Sequence, residues 1–372
     1  MDAFPPARHG ARAPAGASRF AMLPAWAARV VFCAFLLSLG ASLAVGFGPG
    51  APPAHYAQNA DEGDAALYRS IVSRMERGES YYDAAGAELR ARGYPLRPAL
   101  TFRPPTLAAA LALLGSESAR SMSAPALACV MLLAWWAVLR RHGHPPATAG
   151  AGLALVATGT LFATAPDAFA WHEIWASLFI MLSLAARSLG WRRGAVLLGL
   201  AALLVRELAL PYLVVAGALA WTEGDRREAL AWAGAALLAA LLFARHVGLA
   251  SAQALPGDLA SPGWATMGGW AFALATARCN PLLDVPAPLA ALCVPLAVFG
   301  LIGWRSPTGA RLFLTTGCCL AGFTLFGRPD NIYWGMIYAP LLPLGLLFAG
   351  PALADLLRAA RLARIAPRAA PA

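Results

Sequence analysis

Apolar runs about twenty residues long recur along this chain between short polar segments, and the length of each run predicts the elements better than any periodicity does. A helix that crosses a bilayer needs roughly 20 apolar residues. On that rule spans fall at about 25–47, 122–140, 146–165, 172–190, 228–247, 286–304, 311–326 and 334–353. One further run, 195–221, is interrupted by Arg206, Glu207 and Pro211 and has arginines beyond both ends. A single crossing would leave one arginine cluster on each side of the membrane. Two short helices broken between 206 and 211 keep both clusters together, and broken helices are tolerated where they line a cavity. The pattern therefore predicts an all-α polytopic membrane protein of about ten spans.

Composition agrees with this class. Hydrophobic residues make up 59% of the 372 and charged residues only 13%, where soluble domains carry about 25% charged. The net charge of +10 comes from arginine alone, since the chain has no lysine. These arginines stand in short clusters beside apolar runs, which is the positive-inside pattern; the charge reports topology and implies no nucleic-acid partner. Arg140 and Arg141, Arg192 and Arg193, Arg226 and Arg227, Arg305 and Arg311, and the tail from Arg358 to Arg368 are expected on the cytoplasmic side. The N-terminus, with Arg8, Arg12 and Arg19, joins them, ahead of an uncleaved first span at 24–47. The whole chain, 1–372, reads as one transmembrane domain: that first span, a loop over 48–121, the remaining spans over 122–353, and a basic cytoplasmic tail over 354–372. The six cysteines show no CxxC spacing and mostly lie in apolar runs, so they read as small buried hydrophobes.

This parity puts four segments on the outer face: 61–106, 166–171, 251–285 and 328–333. The first is the long polar insert of the chain. It opens with Asp61, Glu62 and Asp64 and continues into a helix-like run in which Leu67, Ile71, Val72 and Met75 form one stripe, while Arg69, Arg74 and Arg77 face away. Such a helix lies in the membrane interface. Acids at its start serve the helix dipole, and they also stand where a lipid-linked substrate meets water. Residues 262–276 are apolar but short and rich in Gly and Trp, which suggests an interfacial or re-entrant segment.

These motifs resemble the GT-C superfamily of membrane glycosyltransferases, which carry an Asp within ExD, DxD or DE variants in the first extracytoplasmic loop. Glu62-Gly63-Asp64 fits ExD and Asp61-Glu62 fits DE. Asp64-x3-Tyr68-x2-Ile71, Gly78 and Tyr81-Tyr82 look like the stretch after the catalytic Asp in lipid A aminoarabinose transferases. Phe102-Arg103-Pro104-Pro105-Thr106-Leu107 is similar to their Lys-Pro-Pro-Leu element, with Arg for Lys and no preceding Glu. More narrowly, the chain resembles small bacterial membrane proteins assigned to cell-surface glycopolymer formation, including at His172-Glu173-Ile174-Trp175, at Arg206-Glu207-Leu208-Ala209 and from Arg328 to Trp334.

The resemblance implies a GT-C-like helical bundle in a bacterial inner membrane, with both termini cytoplasmic and a first outer loop bearing interfacial helices. It also implies an inverting transfer of sugar from a polyprenyl phosphate donor to a cell-envelope glycan or lipid acceptor. Transfer needs a base for the acceptor hydroxyl and cations for the leaving phosphate, whose oxygens match arginine's fork. Asp64 is the candidate base, and Arg206 and Arg328 are the candidate phosphate clamps. Asp167 or Glu173 is the candidate second acid, which in the superfamily assists the base or binds a divalent cation. Glu62, Tyr68, Arg103, His172 and Tyr333 are carried over as substrate-binding residues.

Each has a plainer reading: Arg206 as the partner of Glu207 or a distant acid, Arg328 snorkelling to water, Asp167 as a helix cap, Glu173 as a dipole partner. Hard cations take several oxygen ligands and only scattered acids are on offer, so no metal ligand set is assigned. Two other classes fit the same pattern: a flippase for lipid-linked saccharides with its site at the broken helix, and a non-catalytic subunit of a glycopolymer assembly system.

Overall fold

The computed structural model describes residues 17–48 and 63–362. It is all-helical, with 76% of residues in helices, and no strand occurs among the described residues. In chain order the α-helices are α1 (Ala25–Gly46), α2 (Asp64–Glu76), α3 (Tyr81–Ala91), α4 (Thr106–Ala112), α5 (Glu117–Arg141), α6 (Pro146–Thr158), α7 (His172–Ser188), α8 (Arg192–Val205), α9 (Leu210–Thr222), α10 (Arg226–Ser251), α11 (Gly269–Ala277), α12 (Ala287–Gly303), α13 (Pro307–Leu325) and α14 (Leu344–Ala359).

Three of these, α1, α5 and α10, are long and apolar enough to cross a membrane, and several shorter apolar helices accompany them. Their outward faces explain the hydropathy. On α1 only Ala28, Ser42 and Gly46 are buried, and on α10 Leu230, Leu237 and Leu241 stand more than 60% exposed. In water such faces would be untenable. The opposite case is α7, where thirteen of its seventeen residues are buried. It forms the centre of the bundle, with α5, α8, α13 and the 3₁₀ segments at Ala168–Ala170, Glu207–Ala209 and Pro329–Ile337 packed around it.

Two of the apolar runs are shorter as helices than their hydropathy suggests. The run at 146–165 ends as α6 at Thr158, where Gly159 passes so close to Pro340 that a Cβ would lie 2.4 Å from the proline Cα. The run at 334–353 is a helix only from Leu344, because Pro340 and Pro343 lack the amide hydrogen and disfavour α geometry in the residues before them. Upstream of them the chain runs as 3₁₀ turns over Pro329–Ile337 and Ala339–Leu341. Of residues 262–276, expected as an interfacial or re-entrant piece, those from Gly269 on belong to α11, whose Phe272 to Ala277 are buried inside the bundle.

The run at 195–221 breaks as its charges and proline suggest. α8 ends at Val205, one 3₁₀ turn covers Glu207–Ala209, and α9 starts at Leu210. The far ends of the two helices meet again. Arg192 pairs with Asp225 and Glu228, so the arginine clusters flanking the run share one end of the bundle.

At the other end, residues 63–112 fold into a cap with its own core, in which Leu67, Ile71, Leu89, Leu96, Phe102 and Leu107 pack together and onto Phe169, Ala170, Val205 and Ala250 of the bundle. The segment after α10 closes over it. Leu96 N–H donates to Leu259 O (3.0 Å), Ser261 N–H donates to Arg97 O (2.7 Å), and Arg90 holds the Asp258 carboxylate through Nε and Nη2 (2.7 and 2.8 Å). That grip, together with the Leu255 amide, holds the Asp258 carboxyl down at about 2.

Candidate functional site

Between cap and bundle lies a cavity of about 710 Å³, lined by six segments of the chain. α2 contributes Asp64, Leu67 and Tyr68. The turn after α3 contributes Tyr94 and Pro95, and the 3₁₀ stretch before α4 contributes Leu100, Thr101 and Arg103. The α8–α9 break gives Arg206, Glu207 and Leu208; the segment after α10 gives Ser261, Trp264 and Ala265; the stretch after α13 gives Phe326, Arg328, Asp330, Asn331, Tyr333 and Trp334.

Asp64 is the first residue of α2, after Gly63 at φ 113°, a left-handed conformation that only glycine adopts without strain. That turn brings the chain in so that the carboxyl stands over the cavity with the positive end of the helix behind it. The Tyr94 hydroxyl donates to Asp64 Oδ1 at 2.9 Å. Burial pushes the Asp64 carboxyl above its ordinary value, while the Arg103 charge and the Tyr94 hydrogen bond pull it back down. A carboxyl raised by burial but still supported as an anion suits proton abstraction.

Arg103 is fixed through its backbone. The Tyr81 hydroxyl donates to Arg103 O at 2.5 Å. Next to it, His246 Nε2 lies 3.2 Å from Phe102 O and His246 Nδ1 lies 3.1 Å from the Tyr82 hydroxyl. A carbonyl only accepts, so Nε2 carries the hydrogen and the neutral ring takes the tyrosine O–H on Nδ1. The Arg103 guanidinium then reaches the cavity, where Nη2 donates to the Tyr333 hydroxyl at 3.0 Å and Nε is buried with no partner. Among the described carboxylates none forms an ion pair with Arg103. Tyr333 is positioned by its 3₁₀ segment, which lies flat on α11: a Cβ on Gly335 would sit 1.9 Å from Thr276 O.

Arg206 is different. Its side chain is 1% exposed, its Nε donates to Glu173 Oε1 at 2.5 Å, and its Nη1 donates to Glu207. Two carboxylates therefore offset its charge. At the rim, Arg328 donates through Nε to Asp330 Oδ1 (3.0 Å) and through Nη1 to Gly263 O (3.1 Å).

Six of the residues singled out in the sequence thus line this one cavity: Asp64, Tyr68, Arg103, Arg206, Arg328 and Tyr333. The other three described candidates do not line it. Glu173, 1% exposed, sits beneath Arg206 as its partner. His172, 3% exposed, packs edge-on against Tyr68 with ring centroids 4.6 Å apart. Asp167 is engaged by Arg69 away from the cavity. Glu62 lies outside the described residues. No cluster of three or more metal-ligating side chains occurs among the described residues.

The sequence reading passed over Tyr94 and Glu207 as site residues. Tyr94 sits in a Gly-Tyr-Pro turn with no local sign of a carboxylate partner, and only the folding of α3 back onto α2 brings it to Asp64. Glu207 was visible beside Arg206, but as a partner rather than as part of a wall.

No family model matches this chain, and neither any curated protein nor any solved structure does.

Proposed function

We propose that the protein is a membrane glycosyltransferase that moves a sugar from a polyprenyl phosphate donor to a cell-envelope acceptor. Asp64 abstracts the acceptor proton and Arg103, with Arg328 at the rim, holds the departing phosphate. The observation that carries this reading is Arg103, a half-buried guanidinium anchored by a neutral hydroxyl, facing the same cavity as a carboxyl that burial has raised. Chemistry that transfers a group off a phosphate asks for that pairing of a base with an unmatched cation. Arg206, the clamp expected from sequence, serves better as a positioning residue, because Glu173 and Glu207 already offset its charge. Glu173 takes the same supporting role instead of that of second acid.

The test is a strain lacking the protein, complemented with the wild-type chain or with Asp64→Asn, its surface glycans analysed by mass spectrometry. Loss of one sugar in the deletion strain, restored by the wild type and not by Asp64→Asn, is expected. Full restoration by Asp64→Asn would end the reading. A flippase remains the competitor because the α8–α9 break, the kind of discontinuity at which carriers bind substrate, lines this cavity. Transport of a lipid-linked saccharide by proteoliposomes, unaffected by Asp64→Asn, would favour it.

A further inference from the structure

On the other side of Glu207 from the polar cavity lies a second one of about 530 Å³. Glu207 belongs to both walls. The second cavity is a groove floored by Leu203 and Leu204 of α8, walled by the α10 face between 236 and 249, and roofed by Pro104 and Pro105. Its outer lip is Leu210, Leu242 and Leu249, exposed by 47%, 46% and 40%. Leu237 and Leu241 beside it on α10 are each 62% exposed. The groove therefore opens sideways, onto the apolar face of one of the three helices long enough to span a bilayer, and not into water.

One cation stands in this apolar setting. Arg245 lines the groove near the cap end of α10, is exposed, and makes no hydrogen bond or ion pair with a described residue. From Ala236 to Arg245 the helix rises about 14 Å at 1.5 Å per residue. The groove thus has a charged end and a hydrocarbon end along one helix.

We propose that this groove binds a lipid of net negative charge carried by its phosphate, taken sideways from the bilayer, its chain lying along α10 and its phosphate on Arg245. Three alternatives fit less well. A neutral lipid would leave Arg245 unmatched, free phosphate would leave the apolar length empty, and a peptide would find few side-chain partners for its backbone. Arg245 stands toward the cap end of α10, which sets the lipid's direction with the head toward the cap. The site stands whether or not the polar cavity performs transfer, since it rests on different residues.

The experiment uses the full chain in nanodiscs with photoactivatable lipids carrying a diazirine on one acyl chain, either phosphatidylglycerol or phosphatidylcholine, and peptide mapping of the adducts. Phosphatidylglycerol is expected to label residues of α10 and α8 in the groove in preference to phosphatidylcholine. Arg245→Gln should reduce that preference by about tenfold or more, the worth of one hydrogen bond to a charged group. Ala239→Trp should block labelling by filling the groove, and Leu242→Trp at its exposed lip serves if the first variant does not accumulate. Inorganic phosphate at millimolar concentration should not compete, whereas polyprenyl phosphate should. Equal labelling by the two lipids, labelling unchanged by the tryptophan variants, or displacement by inorganic phosphate alone would each overturn the proposal. Because adducts and not glycans are read, a failure here leaves the transferase reading untouched, and the reverse holds too.

Discussion

At the end of the bundle away from the cap, Arg187, Arg192 and Arg311 are matched by Glu223, Asp225 and Glu228, whereas at the cap cavity Arg103 meets only a tyrosine hydroxyl. Arg311 takes Glu223 through both Nη atoms at 2.7 and 2.8 Å, and Arg187 takes Glu228 at 2.6 Å. Three arginines and three acids close into a network there. The cavity also displays three arginines, at 103, 206 and 328, and three acids, at 64, 207 and 330, so supply of opposite charge is not what differs. What differs is that Arg103 and Asp64 feel each other's field but are each held by a tyrosine, Tyr333 and Tyr94. Arg103 forms no ion pair with a described carboxylate, although Asp64 lines the same cavity. Sites that forgo such pairing while the rest of the fold satisfies it are the usual places for function.

The largest effect expected from breaking this contrast is chemical. Asp64→Asn, near in shape but a poor base, should lower transfer by about 10²–10⁴-fold, and Arg103→Gln by about 10²–10³-fold, with both proteins accumulating normally in the membrane. Arg103→Lys should recover only part of the loss, because an ammonium lacks the planar fork. Glycan output per unit of membrane-inserted protein measures all three.

Arg206 tests where the boundary between the two kinds of charge runs. Removing it leaves Glu173 charged, buried and without its guanidinium, so Arg206→Gln should destabilise by about 3–5 kcal/mol and reduce accumulation. The double variant with Glu173→Gln should recover much of it. A phosphate clamp would behave otherwise: accumulation intact, activity lost, and no rescue by the second change.

In the closed network the expected effect is smaller. Glu223→Gln takes the bidentate partner from Arg311, whose side chain is 3% exposed, but Glu223 itself is 33% exposed and water replaces part of what is lost. The cost should be about 1–3 kcal/mol, read as a lower Tm in detergent with transfer per folded molecule unchanged. A drop in transfer at constant Tm would place this network in the mechanism and dissolve the comparison.

How far the sequence anticipated these features follows from what each depends on. The helical class and the three long helices follow from run length alone, because a bilayer imposes a length. The break at 206–209 was legible from a charge pair and a proline inside an apolar run. The helix boundaries near Gly159 and Pro340 were not, since hydropathy is blind to the contact that ends α6 and to a proline-spaced 3₁₀ segment as apolar as a helix. In the site, Asp64 and Arg103 stood out by type and position. Tyr333 stood out only through the resemblance and without its partner, and Tyr94 did not stand out, because the two meet Arg103 and Asp64 only across 230 and 30 positions of sequence. Interfacial aromatics look alike until the fold says which of them points inward.

The smallest effect expected is also the most specific to charges held apart. Tyr94 donates a hydrogen bond to the Asp64 carboxylate and so favours its ionised form, against the burial that disfavours it. Tyr94→Phe removes the donor and keeps the ring, so the Asp64 carboxyl rises further and ionises at higher pH. A base works only when ionised; the acid limb of the pH–rate profile must therefore move toward higher pH. The lost bond, to a charged acceptor, is worth on the order of 1.5–3 kcal/mol at most. Above the limb, where Asp64 is ionised in both proteins, transfer should change by a few-fold only, an anion with one donor fewer being if anything the stronger base. A limb that stays in place would mean either that Asp64 does not set it or that Tyr94 does not hold Asp64 in the working enzyme. Asp64→Glu separates the two, because a limb set by this carboxyl must move when its own side chain is lengthened, whatever Tyr94 does.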